Sequence, residues 1–155
     1  MPTPEFVSLP ALLMLAAANG TPVIIGRILG PRYSAPIDGN RVLHDHRPVF
    51  GPHKTWRGLI TGILAAALAG LLLGAGLAIG ALFGAAALAG DLLSSFIKRR
   101  LGQTSGKSYV LLDQLPEALL PMLLLRGALG LEPGTIIATT LVFTILDVLT
   151  ARIRP

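Results

Sequence analysis

Residues 59–90 run for 32 positions without one charged side chain. As a single helix this stretch would measure about 48 Å, well beyond the roughly 30 Å hydrocarbon core of a bilayer. Gly74, Gly76 and Gly80 sit near its middle. We therefore read two short helices, 59–74 and 77–93, joined where glycine lets the backbone turn. One steeply tilted helix is the alternative.

The rest of the chain repeats the theme. Residues 6–29, 115–130 and 134–151 are further apolar stretches with few polar interruptions. Of 155 residues, 52% are hydrophobic and 14% charged, against about 25% charged in ordinary globular domains. The expectation is one all-α domain: a polytopic membrane protein with about five transmembrane helices and two ordered cytoplasmic loops. The first stretch has no basic residue before it, which favours a retained helix over a cleaved signal peptide. The absence of cysteine excludes disulfides and thiolate metal sites. Gly58, Gly62, Ala66, Gly70 and Gly74, then Gly76, Gly80 and Gly84, form stripes that let helix backbones approach closely in lipid. Those Gly/Ala-rich helices could pack within the chain or form a homodimer face.

A net charge of +5 would suggest nucleic acid in a soluble protein. Here its placement points elsewhere, and no nucleic-acid partner is expected. With five spans, Arg27, Arg32, Arg41, Arg47, Lys54, Arg57, Lys98, Arg99, Arg100, Lys107, Arg152 and Arg154 all fall on one side, and only Arg126 falls near the other. The excess of basic residues in cytoplasmic loops puts the N-terminus outside, with both polar loops and the C-terminus in the cytoplasm of a cell-membrane protein.

Those loops hold most of the chemistry. In the second, Asp91 ends a long apolar run, where ionisable groups are costly and usually functional. If the helix continues to Arg100, Asp91, Ser95 and Lys98 share one face, because offsets of four and seven are near whole turns. That trio suits a metal-bound polyphosphate. Asp91 could hold Mg²⁺, Ser95 could donate to a phosphate oxygen, and Lys98, Arg99, Arg100 and Lys107 could neutralise phosphate charge. Asp113 returns a second carboxylate to the membrane surface beside Gln114. Blander readings stay open: a stop-transfer cluster for residues 98–100, a helix-end ion pair for Asp91 and a helix N-cap for Asp113. In the first loop, Lys54 and Arg57 point to phosphate binding or to simple inside-positive charge. His44, His46 and His53 fit no standard zinc spacing. Carboxylates for a metal, cations for phosphates and adjoining spans for a lipid tail are together what a phospholipid-handling enzyme needs.

Two mixed-composition blocks carry a resemblance. Pro36-Ile37-Asp38, then Asp45 with Arg47, then Gly51 with Lys54-Thr55-Trp56-Arg57-Gly58 resembles the first signature of the archaeal CDP-archaeol synthases. These belong to the membrane CTP:lipid-phosphate cytidylyltransferases, with the CDP-diacylglycerol synthases. Gly90-Asp91, Ser95-Phe96, Lys98-Arg99-Arg100 and Asp113-Gln114-Leu115 resembles the second. Most of the chain is covered. Pro116 stands where another acid is expected, with Glu117 after it, and Asp147 and Thr150 stand where the family has a His- and Asn-containing span.

The resemblance implies CMP transfer from CTP to an isoprenoid ether lipid phosphate, 2,3-bis-O-geranylgeranylglycerol 1-phosphate, with Mg²⁺ as cofactor and the lipid bilayer as setting. It implies Asp91 and Asp113 at the metal, with Lys98 beside them in catalysis. Ser95, Lys98, Arg99, Arg100 and Lys107 would meet the triphosphate. Lys54, Thr55 and Arg57 would meet the lipid phosphate or nucleotide, and Asp38 and Gln114 would make secondary polar contacts. The lipid would enter sideways along Gly84, Ala87 and Gly90. A lipid kinase, a phospho-alcohol transferase and a small transporter are the rival classes.

Overall fold

The computed structural model describes residues 6–103 and 110–153, without the side chains of 110–113 and 151–153. The described residues form six helices: α1 Leu9–Leu29, α2 Trp56–Leu72, α3 Leu77–Arg100, α4 Val110–Leu124, the single turn α5 Arg126–Leu129, and α6 Pro133–Ile153. The long uncharged run is thus divided between α2 and α3, and the turn between them holds Gly74 and Gly76 at φ of 80° and 95°, where a Cβ would be strained.

Three helices, Leu9–Leu29, Leu77–Arg100 and Pro133–Thr150, are long and apolar enough to cross a membrane. The five expected spans are therefore not all matched by length. α2 is an apolar helix of 17 residues, about 25 Å long. The expected span 115–130 is instead α4, which begins at Val110 and carries Pro116 and Pro121, followed by the separate turn α5.

Small residues line the closest helix–helix contacts, and many large aliphatic side chains face outward. A Cβ on Gly62 would collide with the Ala18 carbonyl of α1, and one on Gly80 would come within 3.0 Å of the backbone at Ala67 and Gly70. One on Gly90 would overlap the backbone at Pro116 of α4. Gly62, Gly80 and Gly84 thus pack against helices of the same chain, while Gly74 and Gly76 have open space beside them. The buried core is Ala11, Met14, Leu15 and Ala18 of α1 against Phe83 and Ala87 of α3, Met122 of α4 and Phe143 of α6. Leu64, Leu68, Leu71, Leu82, Ile137 and Leu141 point away from it, exposed. An apolar outside over helices in close backbone contact suits lipid as solvent, where such packing replaces the hydrophobic drive.

Helix ends are closed by side chains. Ser8 Oγ accepts from the Ala11 N–H at 3.3 Å, and the Ser8 N–H donates to Thr139 Oγ1 of α6 at 2.9 Å. Thr55 Oγ1 accepts from the Gly58 N–H at 3.1 Å and caps α2.

Candidate functional site

The first polar loop is ordered around a carboxylate. Asp38 is buried and accepts the N–H groups of Phe50 at 2.9 Å, Gly51 at 3.1 Å and Asn40 at 3.0 Å. Burial alone would raise its pKa, but these backbone donors outweigh it and hold the carboxyl below its ordinary value of 3.8. The Ile37 N–H donates to the Lys54 carbonyl at 2.8 Å, closing the base of the loop beside α2. Between these points a short hairpin pairs Val42 with Pro48.

That frame sets Lys54 over α3. Its Nζ donates to both carboxylate oxygens of Asp91, at 2.7 and 2.6 Å. Both side chains are about a quarter exposed. The pair stands in a cavity of about 830 Å³ lined also by Arg57, Glu117, Asp147 and Thr150. Along α1 the wall passes Val23 and Asn19 and then, toward the other end of the helix, Ala16, Leu13 and Leu12. From Gly26, beside the Arg57 guanidinium, to Leu12 is about 21 Å along the helix. One cavity therefore joins a charged head to a long apolar tail.

The expected site residues divide. Lys54, Thr55, Arg57 and Asp91 line the cavity, although the Thr55 hydroxyl also caps α2. Arg57 Nη1 donates to the Gly30 carbonyl at 2.9 Å and to that of Arg32, tying the end of α1 to the start of α2. Ser95 and Lys98, expected on one face with Asp91, are not in the cavity wall; Ser95 is buried, as is Arg99. Asp38 acts as the loop's backbone hub. Arg100 is turned to the first loop: Nη1 donates to Asp45 Oδ1 at 2.8 Å, and Nη2 to the Arg47 and Pro48 carbonyls at 3.2 and 2.5 Å. Gln114 is buried, with Nε2 bonded to Asp147 Oδ2. Lys107 lies outside the described residues, as does the Asp113 side chain, although Asp113 belongs to the first turn of α4. Gly84, Ala87 and Gly90 do not line a lipid entry; they sit in helix–helix contacts because only small residues fit there. His44, His46 and His53 are exposed, and no metal-holding group of three His, Cys, Asp or Glu occurs among the described residues.

A family model described as CarS-like, CDP-archaeol synthase, matches residues 6–154. The chain belongs to that family. CDP-archaeol synthases of Hyperthermus butylicus and Aeropyrum pernix are 42% and 43% identical to it over 114 and 112 residues, 70% and 67% of this chain. The aligned regions span 65% and 61% of those relatives' own lengths. A solved structure, described as an intramembrane enzyme for archaeal membrane lipids biosynthesis, superposes with a TM-score of 0.78 at 35% identity. It covers 94% of this chain and 92% of that one. With three apolar helices of spanning length, the family member described here is a membrane protein.

Sequence reasoning left Asp147, Glu117 and Asn19 out of the candidate site, yet all three line the cavity. A signal existed for each: a polar or ionisable group inside an apolar stretch is expensive in lipid and usually faces a cavity or a partner. Asp147 is the most informative, because it ties α6 to the CDP-archaeol synthase signature residue Gln114.

Proposed function

We propose that the chain transfers CMP from CTP to an archaeal ether lipid phosphate, giving CDP-archaeol and pyrophosphate. The observation that carries this reading is the Lys54–Asp91 pair at the polar end of a cavity whose far walls are apolar. The head suits phosphates and the tail suits isoprenoid chains. An oxygen of the lipid phosphate attacks the α-phosphorus of CTP in line, the bond to the β-phosphate breaks, and pyrophosphate leaves. The nucleophile is already anionic at neutral pH, so no strong general base is needed. Catalysis is then positioning and charge neutralisation. Lys54 and Arg57 bring cations to the reacting phosphates, while the α1 and α6 walls hold the tails and keep water from them.

Asp91 offers the hard oxygens that Mg²⁺ prefers. This ion typically takes one or two protein carboxylates and completes its shell with substrate phosphates and water, so no three-residue protein cage is required. Asp91, with Asp113 from the first turn of α4, would hold it, and the bound ion would neutralise triphosphate charge. In the membrane, the twelve-to-one distribution of Lys and Arg supports an outside N-terminus, five crossings with α2 and α4 as short spans, and both polar loops in the cytoplasm. The test is pyrophosphate release from CTP, in detergent, with 2,3-bis-O-geranylgeranylglycerol 1-phosphate as acceptor. Release with CTP and not with ATP supports the transferase; ATP consumption would indicate a kinase.

A further inference from the structure

Arg47 and Arg100 each reach the other's backbone carbonyl. Arg47 Nη1 donates to the Arg100 carbonyl at 2.7 Å, with the Arg99 carbonyl at 3.5 Å. Both carbonyls lie in the last turn of α3, at its negative end, and that of Arg99 also accepts the Gly102 N–H at 3.1 Å. Arg100 reaches the opposite way, to the Arg47 and Pro48 carbonyls and the Asp45 carboxylate. Asp45 Oδ1 also accepts the Arg47 N–H at 3.2 Å, which shapes the hairpin tip. Beneath them the Arg100 guanidinium lies 5.2 Å from the centre of the Phe96 ring, and Phe96 meets Phe50 edge-on at 6.5 Å. Gly102 leaves room for the Arg47 guanidinium, which a Cβ there would approach to 2.9 Å.

We infer that Arg47, Asp45 and Arg100 form a reciprocal clasp that positions the first loop, and through it Lys54, and that Arg100 is a positioning residue rather than a triphosphate ligand. Asp91 and Arg100 are nine residues apart, a turn of about 180° around a helix. Lys54 grips one side of α3 and the hairpin grips the other, so the loop wraps the helix end. From the clasp the chain runs through Phe50 and Gly51, both held by Asp38, to Lys54. Freeing the hairpin therefore loosens the ammonium that meets the reacting phosphates. Both terminal nitrogens of Arg100 are engaged in this clasp. The inference rests on the CTP reading for its kinetic consequence, but the clasp itself is readable without substrate.

The sharpest test is Asp45→Asn, at the exposed hairpin tip, where the fold should tolerate the change. If Arg100 bound triphosphate, removing its acidic neighbour would free it and improve CTP use. The clasp predicts the opposite sign, a two- to fivefold fall, roughly, in kcat/KM for CTP, as for loss of a partly exposed ion pair. Arg100→Ala should cost about tenfold to a hundredfold, and Arg100→Lys should not rescue it, since a single ammonium nitrogen does not reproduce the two separated terminal nitrogens that reach Asp45 and the Arg47 and Pro48 carbonyls. Arg47→Ala/Arg100→Ala should stay within about threefold of the worse single variant, because both break one device. Without substrate, trypsin should cut after Arg41 faster in Asp45→Asn and Arg100→Ala than in the parent. Unchanged or improved kcat/KM in Asp45→Asn, multiplying effects in the double variant, or unchanged cleavage would each overturn the clasp. A parent protein that releases no pyrophosphate from CTP while cleavage behaves as stated would instead overturn the CTP reading alone.

Discussion

Replacing Asp91 by Asn removes one charge while keeping shape, and the structure separates what this does to stability from what it does to turnover. The carboxylate is held at 2.6 Å by Lys54, with both side chains about a quarter exposed. That places the pair between an exposed bridge, worth up to about 1 kcal/mol, and a fully buried one, where losing a partner costs about 3–5 kcal/mol. A loss of about 1–3 kcal/mol is expected, too little to unfold a well-packed helical bundle. Turnover should respond more strongly. If Asp91 also holds the catalytic ion, several kcal/mol of transition-state stabilisation disappear, which is at least about a hundredfold in rate. The assay pairs single-turnover CMP transfer with thermal unfolding in detergent for Asp91→Asn, Lys54→Met and the double variant. The stability losses should be less than additive, because each single variant strands the same partner. Asp91→Asn retaining more than about a tenth of the parent rate would show that Asp91 does not hold the catalytic ion.

Other expectations follow from single features. Gly90→Ala would ordinarily favour a helix, but a Cβ there overlaps the Pro116 backbone, so it should destabilise by about 1–3 kcal/mol. Gly127→Ala, with open space around it, should change unfolding little. A cysteine at Ser34 in this otherwise cysteine-free chain should react with an impermeant reagent from the cytoplasmic side; labelling from outside would reverse the orientation. Asp38 has its pKa held below 3.8 in the fold by backbone donors, so its contribution is complete above that value and lost as pH falls through the lower folded pKa. The emission of Trp56, the chain's single tryptophan, whose backbone N–H donates to the Ala35 carbonyl of the loop, should hold steady above pH 3.8 and shift below it. Asp38→Asn should show the shifted emission at neutral pH.

The division between α2 and α3 was legible because it follows from length: 32 uncharged residues exceed one membrane crossing, and glycine marks the turn. Lys54, Asp91 and Arg57 were legible as chemistry because charge beside a long apolar run needs a reason. Their arrangement was not. Lys54 and Asp91 are 37 positions apart, and nothing local announces that one grips the other. Helical spacing put Asp91, Ser95 and Lys98 on one face, but it cannot say where along that face the cavity ends. Arg100 carries the same charge whether it meets a phosphate or the Asp45 hairpin, so only the folded loop distinguishes the two. The small-residue stripes announced close packing without naming partners, and the structure supplies them: Ala18 for Gly62, Pro116 for Gly90.

The proposed reaction joins CTP to a membrane lipid phosphate where a charged head and an apolar tail meet in one cavity. Its most direct measurement is the product of purified protein incubated with Mg²⁺, CTP labelled at the α-phosphorus and 2,3-bis-O-geranylgeranylglycerol 1-phosphate. Label should transfer into the lipid fraction, with one pyrophosphate released per lipid. Pyrophosphate release without labelled lipid, or label reaching the lipid from CTP labelled at the γ-phosphorus and not from CTP labelled at the α-phosphorus, would contradict it.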